Sequence, residues 1–259
     1  MTRRSGSADR ILVVIPAYRE AATVGGVVAS VRAAGFDCVV VDDGSPDRTT
    51  EVARAAGATV LRLAVNLGVG AALRCGFRYA DSHGYVAVVQ CDDDGQHPPE
   101  AIVGLIEAAH EHDAHLVIGS RFTNGSGRFD LPRGRRFVMH MLSFLVARAG
   151  HVRVRDTSSG FRYVGQPLLG EFARTYPAQY LGDTVEALVA AGRAGYRVVE
   201  VPADLLPRGG GEPSARPLRA MLLTARVAIT VIFGIGIKLT PASRYSPTTA
   251  TGAPAADRP

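Results

Sequence analysis

With 259 residues, 47% of them hydrophobic, and a formal charge of +5, the chain can build the core of one large α/β domain; this excludes a disordered protein and suits an anionic partner. Lys238 is the one lysine among 29 basic residues, so Walker and Schiff-base lysines in the body of the fold are excluded, and nearly every cation is a guanidinium that can grip phosphate bidentately. Cys38, Cys75 and Cys91 lack the number and spacing of a disulfide framework or a zinc cluster, which fits a reducing, cytosolic setting.

Residues 1–9 are basic, carry no signal-peptide apolar core, and read as a flexible N-terminus. From there, apolar runs of strand length recur at 11–15, 38–41, 59–63, 85–89, 115–118 and 197–201. Rich in β-branched residues and continuous rather than alternating, they read as strands buried on both faces. Helix-like stretches at 20–34, 46–57, 70–82 and 98–113 separate the first five, which predicts a doubly wound, mostly parallel sheet. Ser45-Pro46-Asp47 and Pro98-Pro99-Glu100 carry helix-start signatures.

In such sheets ligands bind beyond the carboxyl ends of the strands. Polar residues gather there: Tyr18, Arg19 and Glu20 after the first run, Asp42 and Asp43 after the second, Asp92 to Gln96 after the fourth, Arg121 after the fifth. The acidic triplet Asp92-Asp93-Asp94 is the strongest signal, because carboxylates this crowded repel unless a cation sits among them. In an extended segment Asp92 and Asp94 share a face and Asp93 takes the other. Oxygen ligation by Asp92, Asp94 and the Gln96 amide suits Mg²⁺ or Mn²⁺ rather than zinc.

A Gly- and Arg-rich loop at 124–136, an apolar helix at 137–149 and a return loop at 156–162 follow. After the last strand, 208–213 reads as a mobile loop. Residues 218–239 are apolar but interrupted by Arg219, Arg226 and Lys238, and the uncharged stretch 227–237 is too short to span a bilayer. It suits a helix lying in a membrane surface, a buried C-terminal helix or an oligomer contact. The division is therefore a domain at 10–215, a helix at 216–240 and a disordered tail at 241–259. The first βα turn has no glycine between residues 15 and 23, which argues against a nicotinamide enzyme, and no helix-turn-helix or RNP signature supports nucleic-acid binding.

The motifs Pro16-Ala-Tyr-x-Glu20, Asp42-Asp-Gly-Ser-Pro-Asp47, Asn66-Leu-Gly-x-Gly70 and Asp92-x-Asp-Gly-Gln-His97, in that order, resemble the family 2 inverting glycosyltransferases of the GT-A fold. With Gly119-Ser-Arg121, Asp156-x-x-Ser-Gly-Phe-Arg162 and Arg208-x-x-Gly211, the chain is most similar to the dolichol- and polyprenyl-phosphate sugar transferases. The resemblance implies a nucleotide pocket of Pro16, Tyr18, Glu20, Asp42 and Asp43. It implies a metal and diphosphate site of Asp92, Asp94 and Gln96, with Arg208 on a closing loop. Arg121 and Arg135 match the pair that binds the acceptor phosphate, whereas Met139 stands where family members carry a serine.

The implied partners are a nucleoside-diphosphate sugar, a polyprenyl phosphate and the inner face of the membrane, where the protein would be peripheral. A hydroxyl acceptor on a polysaccharide, glycolipid or secondary metabolite would instead need a general base. Asp183 and Glu186, three apart and on one face if the segment is helical, are the residues for that role. A nucleotidyltransferase fits less well, because Arg19 is the one basic residue in the first βα turn, and a non-catalytic nucleotide- or membrane-binding protein is the remaining alternative.

Overall fold

The computed structural model describes residues 10–92, 98–120, 133–177, 182–203 and 237–245. Seven strands form one sheet in the order β3-β2-β1-β4-β6-β5-β7. They are β1 (Ile11–Ala17), β2 (Asp37–Asp42), β3 (Thr59–Arg62), β4 (Ala87–Gln90), β5 (Leu116–Ser120), β6 (Arg162–Gly165) and β7 (Val198–Pro202). β1 pairs parallel with β2 and β4, β2 with β3, and β5 with β7, while β6 lies antiparallel between β4 and β5. Six strands thus point one way, and their carboxyl ends share a single edge with the amino end of β6.

The β-branched runs produce this sheet because alternate side chains feed two separate cores. Leu12, Val14, Val39 and Val41 face α3 (Val69–Ser82), α5 (Arg133–Gly150), α6 (Leu168–Thr175) and α7 (Gly182–Arg193). Val13, Ile15, Val40 and Val89 face α1 (Val24–Ala33), α2 (Thr49–Ala55) and α4 (Pro99–Glu111). Phe77 of α3 packs against Phe172 and Tyr176 with ring centroids 5.8 and 5.0 Å away, which locks α3 to α6.

Several expectations shift. The return loop leads into a strand, β6, that lacks the long apolar run of its neighbours because it begins with Arg162 and has four residues. α2 starts at Thr49 rather than 46, since the Ser45 hydroxyl accepts the Arg19 N–H (3.0 Å) and Asp47 accepts the N–H groups of Ala21 and Thr49 (3.4 and 3.2 Å). α5 begins four residues before 137 and takes Arg135 into its first turn. Of the predicted helix at 216–240, residues up to 236 lie outside the described residues, and Ile237, Lys238 and Leu239 are not helical. Residues 241–245, placed in the tail by sequence, form a 3₁₀ turn at Ala242–Arg244. Among the described residues no helix is long and apolar enough to cross a membrane.

Candidate active site

At the shared edge, the loops after β1 and β2 are tied to each other. The Asp43 N–H donates to the Ala17 carbonyl (2.9 Å) and the Glu20 N–H to the Thr49 hydroxyl (2.9 Å). Asp42 is fully buried; its carboxylate accepts the Ser45 N–H at 2.8 Å and the Thr50 hydroxyl, with Arg62 3.9 Å away. Asp43 accepts the N–H groups of Leu67 and Gly68 at 2.7 and 2.8 Å, stapling the loop that enters α3. Both acids therefore shape the turn. Gly44 makes it possible, with φ of +72° and no room for a Cβ, which would lie 2.7 Å from the Val65 carbonyl carbon.

Of the other residues assigned to a nucleotide pocket, Pro16 is buried in β1 opposite Val41. Tyr18 is exposed, with the Arg19 guanidinium 5.2 Å above its ring. Glu20 accepts the Thr23 hydroxyl (2.7 Å) and its carbonyl takes the Val24 N–H (2.9 Å), fixing the start of α1. The result is a rigid shelf from which Tyr18 and the loop residues Val65 and Leu67 protrude.

Farther along the edge, Gln90 pairs with Arg162, so Asp92 leaves β4 opposite the residues that lead into β6. Its carboxylate lies over Gly160: a Cβ there would be 2.6 and 3.0 Å from its two oxygens. Burial, and then the charge of Asp92, push the Cys91 thiol well above its ordinary value, so the neighbouring group is neutral. Asp93, Asp94, Gln96, Arg121 and Arg208 lie outside the described residues. Among the described residues no three His, Cys, Asp or Glu side chains converge as a metal cluster.

The loop from Arg155 to Phe161 forms the floor beneath Asp92. Glu200, on β7, accepts the N–H groups of Arg155 and Asp156 at 2.9 and 2.8 Å. The Ser159 hydroxyl donates to the Gly119 carbonyl (2.6 Å), and the Gly119 N–H donates to that of Phe161 (2.9 Å). Arg162, only 2% exposed, donates to the carbonyls of Ser159 (2.8 Å), Thr157 (3.3 Å) and Thr184 (3.3 Å), tying the loop to α7. Sequence reasoning assigned no role to Glu200. Its signal was a lone acid within Val-Val-Glu-Val, where a charge needs a specific partner.

Arg135 occupies the first turn of α5 and Asp183 the first turn of α7. Glu186, one turn further, accepts the Ile237 N–H at 2.7 Å. It is one of several anchors for 237–245. Glu171 accepts the Thr240 N–H (3.0 Å), the Tyr245 hydroxyl (2.6 Å) and Arg174 (2.5 Å), and the Tyr196 hydroxyl donates to the Thr240 carbonyl (3.0 Å). Burial alone would raise the Glu171 carboxyl, but the hydrogen bonds from Tyr245, Thr240 and Arg174 outweigh it and hold the group at about 2.

Residues 12–171 match the family described as Glycosyl transferase family 2. The chain is 32% identical over 211 residues to the undecaprenyl-phosphate mannosyltransferase of Micrococcus luteus, covering 78% of this chain and 86% of that one. It is 30% identical over 210 residues to the polyprenol monophosphomannose synthase of Mycolicibacterium smegmatis, covering 77% and 78%. Among solved structures, glucosyl-3-phosphoglycerate synthase from Mycobacterium tuberculosis, determined with Mn²⁺, uridine diphosphate and phosphoglyceric acid, superposes with a TM-score of 0.66 at 21% identity. That match covers 88% of this chain and 78% of the other, and it shows the fold. The seven-stranded mixed sheet is that of the GT-A glycosyltransferases, and with a family match across more than half its length the chain belongs to glycosyl transferase family 2 and is a glycosyltransferase.

Proposed function

We propose that the enzyme moves a hexose from a nucleoside-diphosphate sugar to a polyprenyl phosphate, with Mg²⁺ or Mn²⁺ as cofactor. The observation that carries the reading is the likeness, over three quarters of the chain, to two enzymes whose names specify mannosyl transfer to a polyprenyl phosphate. A phosphate oxygen of the acceptor forms the bond to the anomeric carbon as the bond to the nucleoside diphosphate breaks, and inversion follows from in-line attack.

The residues present fit a hard divalent cation. Asp92 offers carboxylate oxygens at the carboxyl edge of the sheet, where its carboxylate lies against Gly160. Asp94 and Gln96 would complete the ligand set. Such a cation, when bound, offsets charge on the departing diphosphate. Arg208 would add a second positive charge there. On the donor side, the shelf around Ser45 and Thr49 would hold the nucleoside, with Tyr18 as its exposed aromatic and Asp42 and Asp43 keeping the turn in shape.

An acceptor phosphate is anionic near neutral pH and needs positioning rather than deprotonation, the role that the family resemblance gives to Arg121 and Arg135. Glu186 has a structural partner in the Ile237 N–H, which accounts for one of its oxygens without any catalytic role. A polyprenyl phosphate acceptor would bring the protein to a membrane surface, where it would work as a peripheral enzyme on the cytoplasmic face. Turnover with polyprenyl phosphate should be abolished in Arg135→Ala and survive in Asp183→Asn and Glu186→Gln. Loss in the two acid variants with an active Arg135→Ala would instead indicate a hydroxyl acceptor.

A further inference from the structure

We infer that Gly160 is a positioning residue for Asp92, its missing side chain being the seat on which the metal-binding carboxylate rests. The inference depends on Asp92 serving as a metal ligand, as proposed above. The antiparallel register that pairs Gln90 with Arg162 carries Asp92 over Gly160 just beyond the last ladder pair. Side chains at facing positions of an antiparallel pair stand about 5 Å apart at Cβ, so a carboxylate leaning across the pair meets whatever the partner carries. A methyl group on Gly160 would lie 2.6 Å from Oδ1, 3.0 Å from Oδ2 and 3.1 Å from Cγ of Asp92. No bonded geometry is needed to see that one of the two must move.

The floor is the part that cannot yield. Glu200 holds it from β7 through two backbone N–H groups, Ser159 hooks it to Gly119, and Arg162 holds the carbonyls of residues 157 and 159 from beneath. The atoms that meet the added methyl are the far end of the Asp92 side chain rather than backbone, so the carboxylate is the part that shifts. Gly160 is not in the left-handed region, so alanine is compatible with its backbone. The substitution therefore displaces a ligand without unfolding the chain, which separates positioning from a structural role.

Mn²⁺ binding, followed by the electron paramagnetic resonance of the free ion in the presence of UDP or of GDP, tests this without any turnover. Gly160→Ala should weaken Mn²⁺ binding roughly 10–100-fold, as for loss of other groups that orient a ligand, while Tm stays within about 3 °C of the parent. Adding Glu200→Gln, which loosens the floor, should recover part of that affinity. Unchanged Mn²⁺ affinity in Gly160→Ala overturns the inference. So does a Tm loss beyond about 8 °C, because the backbone would then have absorbed the contact, and so does the absence of rescue. If the unsubstituted protein binds no Mn²⁺ with either nucleotide, the metal reading itself fails.

Discussion

The two halves of the sheet edge are closed in different ways. Around β1 and β2, adjacent turns bond to one another: Arg19 to Ser45, Glu20 to Thr49, Asp43 to Leu67 and Gly68. Around β4, β6 and β7, closure comes from residues far apart in the chain, Glu200 on the backbone of Arg155 and Asp156 and Ser159 on Gly119, while Glu171 ties Thr240 and Tyr245 down beside Tyr196, at the amino end of β7 and so at the opposite edge. The first half presents a finished polar shelf. In the second, the acid proposed to bind metal rests on a glycine, and the acid that holds the floor beneath it stands on β7. The turns of the first half are fixed by their neighbours, whereas the floor of the second depends on an anchor distant in the chain.

The largest effect should come from breaking the first half at Gly44. Gly44→Ala forces a positive φ on alanine and drives its methyl into the backbone of Val65 and Asn66. We expect a loss of about 3 kcal/mol or more in urea unfolding, together with loss of nucleotide binding. A variant that keeps its stability would show that the shelf is adaptable and would erase the contrast between the halves.

Acid should loosen the anchor at the opposite edge, and neither half of the site. Because the Glu171 carboxyl is held at about 2 against an ordinary 4.5, its contribution is fully present above pH 4.5 and is lost as pH falls through about 2. The stability difference between the parent and Glu171→Gln should be at most about 3 kcal/mol at neutral pH and should shrink toward zero between pH 4.5 and 2. A difference that is flat across this window would mean that Glu171 does not anchor the 237–245 segment. Smallest of all, Asp93→Ala should leave turnover nearly unchanged while Asp94→Ala removes metal-dependent binding of a nucleoside diphosphate. Equal losses in both would mean that the alternation of faces across the triplet does not hold.

The same contrast governs what could be read from the sequence. β1, β2, β4 and β5 announce themselves as apolar runs because most of their side chains meet a core on one face or the other, while β3 and β7, at the sheet edges, are only partly buried yet keep enough Val and Leu to read as strands. The clustering of polar residues after β1, β2 and β4 follows from one-directional strands and was equally legible. β6 was not, because its first residue is an arginine whose burial depends on carbonyls of Thr157, Ser159 and Thr184. Asp42 and Asp43 looked like ligand-facing acids, yet their oxygens face Ser45, Thr50, Leu67 and Gly68, partners that a local pattern does not reveal. Glu200 and Glu171 escaped notice for the same reason: their partners lie some 40 to 75 residues away.

The central claim is that the sugar goes to a lipid phosphate. The most direct measurement is incubation of the protein with a panel of nucleotide sugars, Mn²⁺ or Mg²⁺, and equal amounts of a polyprenyl phosphate and the corresponding polyprenol, followed by mass measurement of both lipids. The account predicts one added hexose on the phosphate, dependent on the metal, and an unmodified alcohol. Glycosylation of the alcohol with the phosphate untouched would contradict it.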